Sequence, residues 1–413
     1  MNQQEVTKSQ PVSKRMVWEA YKKVKRNGGS AGVDKQSIVM FDEEMSKNLY
    51  KIWNRMSSGS YFPPPVRTVL IPKANGSKRA LGIPTVSDRI AQMVVKNYLE
   101  PMVDKGFSMQ SYGYRPGRSA HDAVSSAEAN CRKYGWIIDL DIKGFFDNIN
   151  HEKMMQLLQL HIKEQWVLLY VERWLEAGVE LDGVITARQT GTPQGGVISP
   201  LLANIYLHHA FDTWMEATDT GNSFERYADD IIVHCSSREE AEILLETIRE
   251  RLKEYDLTLH PEKTKIVHCK DYRRNKEKED GVRFTFLGFD FKPRVVRSKR
   301  EGWFLGYGAS IGKSAQTKIT ALIKESRLVR WTTATIETIA AEWNPRIRGW
   351  INYYGRFGRR ELYNVFDVFN MHLARWIGNK YKITGKWACI KRLKQIKQEN
   401  RGLFAHWSLK ACA

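Results

Sequence analysis

The chain has 413 residues, 42% of them hydrophobic and 27% charged, with a formal net charge of +19. That length and balance exclude a disordered or fibrous chain and suit two or three domains with real cores. No apolar run approaches the roughly 18–20 residues that span a bilayer, so no membrane partner is expected. The opening stretch Met1–Arg15 has no apolar core after its charges and does not read as a secretory signal. A surplus of positive charge favours a polyanion, because each neutralised phosphate releases condensed counterions. The 13 Trp, 17 Tyr and 16 Phe, many alternating with Arg and Lys in the C-terminal third, favour nucleic acid. The five cysteines, Cys131, Cys235, Cys269, Cys389 and Cys412, are widely spaced and form no CxxC pair. They fit a reducing compartment and argue against structural zinc.

In chain order, residues 1–62 read as a polar, helical N-terminal extension broken at Asn27-Gly28-Gly29-Ser30-Ala31-Gly32. Pro63-Pro64-Pro65 stops any helix. Val66–Ile71 alternates like a strand, and Asn75-Gly76 marks the tip of a basic hairpin. Ile83–Leu99 reads as a helix. Trp136–Ile142 is a short apolar strand interrupted by Asp139 and Asp141, and Asn150 is placed to cap a helix over His151–His161. Phe224–Cys235 reads as a strand pair with two acids at its centre, and Arg238–Tyr255 as a charged helix. Asp271–Gly281 is nearly all charged and reads as a solvated loop, and Phe284–Phe291 as one strand. From about Ser310 onward the pattern is helical and basic. It predicts helices near Ser314–Arg327, Thr332–Phe357 (interrupted at Pro345) and Glu361–Ile377. The whole is an α+β region followed by an all-α region.

The sharpest chemical feature is Tyr227-Ala228-Asp229-Asp230, followed by Ile231-Ile232-Val233. Adjacent carboxylates inside an apolar strand are costly unless a charge compensates them. A hairpin turn lets both escape the core, and a divalent metal compensates them further. Successive strand residues face opposite sides, so one acid ligates more directly; Asp229 is the stronger candidate. Asp139 and Asp141 share one strand face about 6–7 Å apart. Asp141 stands at the strand end, where a ligand approaches, and is preferred. Two strands that each offer a carboxylate at one sheet surface make a site for two-metal phosphoryl transfer. The bland alternative is a turn Asp pair and an unrelated strand-end Asp.

These residues resemble a known family. Asp139-Leu140-Asp141-Ile142-Lys143-Gly144-Phe145-Phe146-Asp147-Asn148-Ile149 is similar to motif A of group II intron reverse transcriptases, and Tyr227-Ala228-Asp229-Asp230 to their motif C. Thr192-Pro193-Gln194-Gly195-Gly196-Val197-Ile198-Ser199-Pro200-Leu201-Leu202-Ala203-Asn204-Ile205 resembles motif B. Ser111–Ser119 resembles the family's second conserved block, His260-Pro261-Glu262-Lys263-Thr264-Lys265 motif D, and Phe286-Leu287-Gly288-Phe289 the palm–thumb junction. Arg348-Gly349-Trp350-Ile351-Asn352-Tyr353-Tyr354 resembles the maturase, or X, domain.

The resemblance implies a right-hand polymerase with fingers, an antiparallel-sheet palm and an all-α thumb. It divides the chain into an extension over 1–62, fingers and palm over 63–300, and a thumb over 301–413. It implies that Asp141, Asp229 and Asp230 are the catalytic acids and hold two Mg²⁺ ions (or Mn²⁺), with the backbone carbonyl of Ile142 completing one shell. Lys73 and Arg79 resemble the pair that clamps the incoming triphosphate; a cationic loop tip suits phosphate oxygens, and equally a solvated hairpin. Phe146 stands where the family has an aromatic gate against a ribose 2′-hydroxyl, while Phe145 reads as core. The resemblance puts Gln194 and Gly195, with Gly196, in the lining of the nucleotide and template pocket; the alternative is a plain Pro-Gln-Gly-Gly turn. Lys263 resembles the lysine that protonates pyrophosphate, with Lys265 an equal candidate. Arg346, Arg348, Arg356, Arg359 and Arg360 flank a seam of Trp343, Trp350, Tyr353 and Tyr354 that reads more as core than as base-stacking surface.

The implied function is RNA-directed DNA synthesis from dNTPs, together with binding of intron RNA to assist splicing and mobility. The partners are an RNA template, intron RNA, and a DNA or RNA primer. A homodimer is compatible, and a cytoplasmic bacterial ribonucleoprotein is the expected setting. The chain resembles the shorter lineages that lack an endonuclease. Two alternatives share these residues: a host-adopted enzyme of repair or defence, and an RNA-binding maturase whose polymerase activity is incidental.

Overall fold

The computed structural model describes residues 10–72, 76, 78–218, 221–274, 281–298 and 302–409. The Asn75 tip, Cys412 and positions 275–280 of the charged loop lie outside the described residues. Eleven strands are described: β1 (Val66–Pro72), β2 (Lys78–Ile83), β3 (Trp136–Asp141), β4 (Val179–Leu181), β5 (Val184–Thr186), β6 (Phe224–Tyr227), β7 (Asp230–Cys235), β8 (Lys265–His268), β9 (Phe284–Phe286), β10 (Phe289–Ser298) and β11 (Gly302–Ile311). They form sheets in the orders β2-β1-β4-β5, β6-β7-β3-β8 and β11-β10-β9. Helices fill most of the remaining chain, and the α+β expectation holds. Among the described residues no helix is long and apolar enough to cross a membrane.

The chain divides into two compact units. The first comprises Met1–Ser119, Leu140–Ile231 and Glu242–Thr264; the second comprises Ala120–Asp139, Ile232–Ala241 and Lys265–Ala413.

In the first unit, Ser13 caps the helix Lys14–Asn27 by accepting from the Met16 N–H. The glycine-rich break after Asn27 wraps a guanidinium: Arg89 donates to the carbonyls of Gly28 (2.9 Å) and Ser30 (2.8 Å). Arg89 belongs to the helix Val86–Val103, whose N-cap is Thr85. That helix is buried along most of its length, with Ile90, Ala91, Met93, Val94 and Val95 among its buried residues. β1 pairs antiparallel with β2, placing Ile71 opposite Arg79. β1 also pairs parallel with β4, which the sequence reading did not anticipate. β4 and β5 are only three residues each, too short for an alternation to show.

In the second unit, Phe284–Phe291 is two strands and not one. The chain reverses at Leu287 (φ 50°) and Gly288 (φ 78°), two left-handed residues that make a tight hairpin turn. β11 pairs with β10 over ten positions, from Phe289↔Ile311 to Ser298↔Gly302, and the helical stretch expected from about Ser310 follows directly with the helix Lys313–Glu325. The helix Ile336–Tyr354 runs through Pro345 without interruption. Pro345 is exposed, while Trp343 and Ile347 on either side are fully buried, so core packing holds the helix across the missing N–H. The core gathers Trp343, Ile347, Phe369 and Trp376, with Trp350 and Tyr354 packed half-buried against it. Trp343 is therefore core. Arg346, Arg348, Arg356, Arg359 and Arg360 are all exposed.

Candidate active site

Three chain segments of the first unit converge at the end of β3. Asp141 is fixed by its backbone: its carbonyl accepts from the His260 N–H (2.7 Å) and its N–H donates to Thr264 Oγ1 (3.3 Å). Ile142 bridges to Leu259, with the Lys143 N–H bonded to the Thr258 carbonyl. In such a pair the flanking residues carry the hydrogen bonds, so the Ile142 carbonyl is turned away from Leu259. Lys263 sets its ammonium 3.2 Å from both Asp141 carboxylate oxygens. In the second unit, Lys265 lies 3.4 Å from Asp139. The two lysines thus serve different carboxylates.

Asp229 sits in the turn between β6 and β7, and Asp230 begins β7. The turn puts Ala228 at φ 57°, a left-handed conformation that costs a non-glycine residue about 1 kcal/mol or more. Burial pushes the Asp229 carboxyl above the usual range. Arg79 and Lys263 draw it down and Asp141 pushes it further up. Asp141, Arg79 and Lys263 are therefore all within electrostatic reach of Asp229.

A buried scaffold beneath the turn was not anticipated. Arg226 and Asp212 are both fully buried and paired: Arg226 Nε donates to Asp212 Oδ1 at 2.7 Å, and Nη2 to Oδ2. The arginine's remaining nitrogen donates to Asn204 Oδ1 (2.9 Å) and to the Ala228 carbonyl (3.2 Å). Asn204 in turn donates to the Gly113 carbonyl (2.8 Å). Gly113 must be glycine here, since a Cβ would come within 2.5 Å of the Ala228 nitrogen. The signal available in sequence was Glu225-Arg226 inside an apolar strand, two charges that demand buried partners.

The motif B-like loop is tied to motif A. The Thr192 N–H donates to the Phe146 carbonyl (2.7 Å), and the Gly191 N–H to that of Ile149 (2.8 Å). Phe145 and Phe146 are both buried, edge to face at 5.3 Å. Arg79 donates from Nε to Gln194 Oε1 (2.6 Å), and the Gly82 N–H donates to the Gln194 carbonyl (2.7 Å). Gly195 adopts φ 117°, and a Cβ there would meet the Gly82 carbonyl at 2.3 Å. Lys73 lies outside the described residues.

Hard oxygen donors suit Mg²⁺. Among the described residues, no three His, Cys, Asp or Glu side chains form a ready-made ligand cluster. That pattern still fits Mg²⁺, which is commonly held by one or two carboxylates with substrate phosphates and water completing the octahedron. The donors present are Asp141, Asp229 and the Ile142 carbonyl. Lys263 pairs with the Asp141 carboxylate at this point of the fold.

Residues 71–307 match the family model "Reverse transcriptase (RNA-dependent DNA polymerase)", and residues 314–394 match "Group II intron, maturase-specific domain". The group II intron-encoded protein LtrA of Lactococcus lactis subsp. cremoris is 28% identical, over 94% of this chain and 78% of its own. Protein YkfC of Escherichia coli (strain K12) is 31% identical, over 58% of this chain and 73% of its own. The solved structure of telomerase from Candida albicans, with a fragment of telomeric RNA, aligns with a TM-score of 0.48 at 12% identity, over 89% of this chain and 67% of that one. The chain therefore belongs to the reverse transcriptase family, the right-hand RNA-directed DNA polymerases, and carries a group II intron maturase-specific domain after its polymerase region.

Proposed function

We propose that this polymerase copies an RNA template into DNA by two-metal nucleotidyl transfer at Asp141 and Asp229, with Asp230 in support. The observation that supports this reading is Asp141 at the end of β3, paired with Lys263, within electrostatic reach of the half-buried Asp229, which Arg79 and Lys263 also influence. When bound, the metal ions activate the primer 3′-hydroxyl and neutralise the triphosphate. Asp141 and Asp229 would hold those ions, with the Ile142 carbonyl as a further oxygen donor. Arg79 turns its guanidinium onto the triphosphate, joined by Lys73. Gln194 and Gly195 form the wall of the nucleotide pocket, and the Phe146 ring lies under the sugar. Lys263 leaves Asp141 and delivers a proton to the departing pyrophosphate; Lys265, held by Asp139, does not.

The division into fingers and palm over 63–300 and a thumb over 301–413 belongs to the same proposal. So does a role for the exposed arginines of the C-terminal unit in holding intron RNA within a bacterial cytoplasmic ribonucleoprotein. The maturase-specific match favours a splicing role alongside polymerisation.

The test is primer extension on an RNA template with Mg²⁺. Asp229→Ala is expected to abolish dNTP incorporation, by a factor of at least about a thousand, while retaining RNA binding. Normal extension by that variant overturns the assignment. Retained splicing by an Asp141, Asp229 and Asp230 triple alanine variant separates the splicing role from synthesis.

A further inference from the structure

The helix Val86–Val103 carries two polar side chains on one face of its buried first turns, Asp88 and Gln92, at i and i+4. They are 1% and 2% exposed. A carboxylate accepts only, and every polar group around Asp88 is a donor. Oδ1 takes the Tyr61 hydroxyl (2.9 Å) and Trp174 Nε1 (2.8 Å), and Oδ2 takes Gln92 Nε2 (2.9 Å). A glutamine amide has one donating and one accepting end. With Nε2 committed to Asp88, Oε1 points the other way, where it accepts from the Val197 N–H (2.7 Å) and the Ile198 N–H (3.2 Å). Those two amides follow Gly196 directly. A Cβ on Gly196 would lie 3.4 Å from the same Gln92 oxygen and 2.4 Å from Ser199 Oγ.

We propose that Asp88 and Gln92 are positioning residues for the Gln194-Gly195-Gly196 loop: the carboxylate locks the Gln92 amide so that its oxygen, and not its nitrogen, faces the loop. This rests on the reading that the loop lines the nucleotide pocket. Neither residue touches substrate. Reversing the amide would set an NH₂ against two backbone N–H groups and strip the loop of its buried acceptor. An unpaired buried donor is costly enough to shift the loop and weaken nucleotide binding about tenfold or more.

The lock has a polarity, and polarity can be exchanged. In Asp88→Asn, the amide end that keeps Tyr61 and Trp174 satisfied leaves a donor facing the Gln92 donor. In Gln92→Glu, the carboxylate still accepts from Val197 and Ile198 but opposes Asp88 with a second acceptor. In the double variant, the new asparagine amide donates to the new carboxylate, and both loop N–H groups keep their acceptor.

The experiment measures KM and kcat for dNTP on a fixed primer–template, with melting temperatures recorded for each variant. Each single variant is expected to raise KM about tenfold or more with a smaller change in kcat. The double variant is expected to return KM to within about threefold of the parent. A double variant no better than the worse single, or single variants with parental KM, overturns the inference. Gln194→Ala tests the pocket reading separately: if it leaves KM unchanged, that reading fails and the lock has no nucleotide to serve. Should a single variant fail to fold, Gln92→Met, neutral and of similar size, carries the test; a folded Gln92→Met with parental KM overturns the inference.

Discussion

Lys263 and Lys265 are two residues apart, and nothing in their spacing says which belongs to the active site. Their carboxylate partners differ: Asp141 holds the first and Asp139 the second. The acids themselves were legible, because paired carboxylates in apolar strands stand out against their surroundings. Asp88 was not. Its donors Tyr61 and Trp174 lie 27 and 86 residues away, and local pattern shows only an acid near a helix N-terminus. Burial pushes the Asp88 carboxyl up to about 6, against the pull of its three donors. Phe146 is a residue whose packing and proposed role coincide, being 9% exposed and set against Phe145. Phe146→Ala should raise ribonucleotide use relative to dNTP by about tenfold or more and cost about 3 kcal/mol of stability. Competition assays below the melting temperature check this, and unchanged sugar discrimination rejects the gate.

Elements with a strong period or a cap were legible to within a few residues, as with Asn150 and the helix His151–His161. Three kinds of element were not. β4 and β5 are too short to show alternation. The β9–β10 turn was hidden because Leu287, a poor left-handed residue, occupies its first position. Pro345 was read as a break, but the core around Trp343 overrides it. The junction of Gly113 with the Ala228 turn is an element-scale contact that invites a test. Gly113→Ala should displace that turn and lower turnover at least tenfold while the melting temperature stays within a few degrees. Near-parental turnover would show that the turn does not depend on this close approach.

For the whole molecule, the excess of cationic side chains and the family membership point to a long polyanionic partner. About six phosphate contacts would lower RNA affinity by roughly a thousandfold between ~50 and ~200 mM salt. Filter binding across that range checks this, and a flat response would deny that phosphate neutralisation drives the association. The order of the conserved blocks was legible because each is local. The two-unit division was not, because it interleaves segments. Residues 120–139 and 232–241 belong to the second unit although the first is not complete until Thr264. This interleaving bears on how the protein is made. As the chain leaves the ribosome, Ile137 and Ile138 emerge well over a hundred residues ahead of Val267 and Ile266, the β8 residues they will pair with. At ~5–20 residues per second the nascent strand waits roughly ten seconds with its greasy edge uncovered. An unpaired apolar strand left waiting on that timescale is open to off-pathway pairing, so biosynthesis is a stage at which this chain is exposed to aggregation.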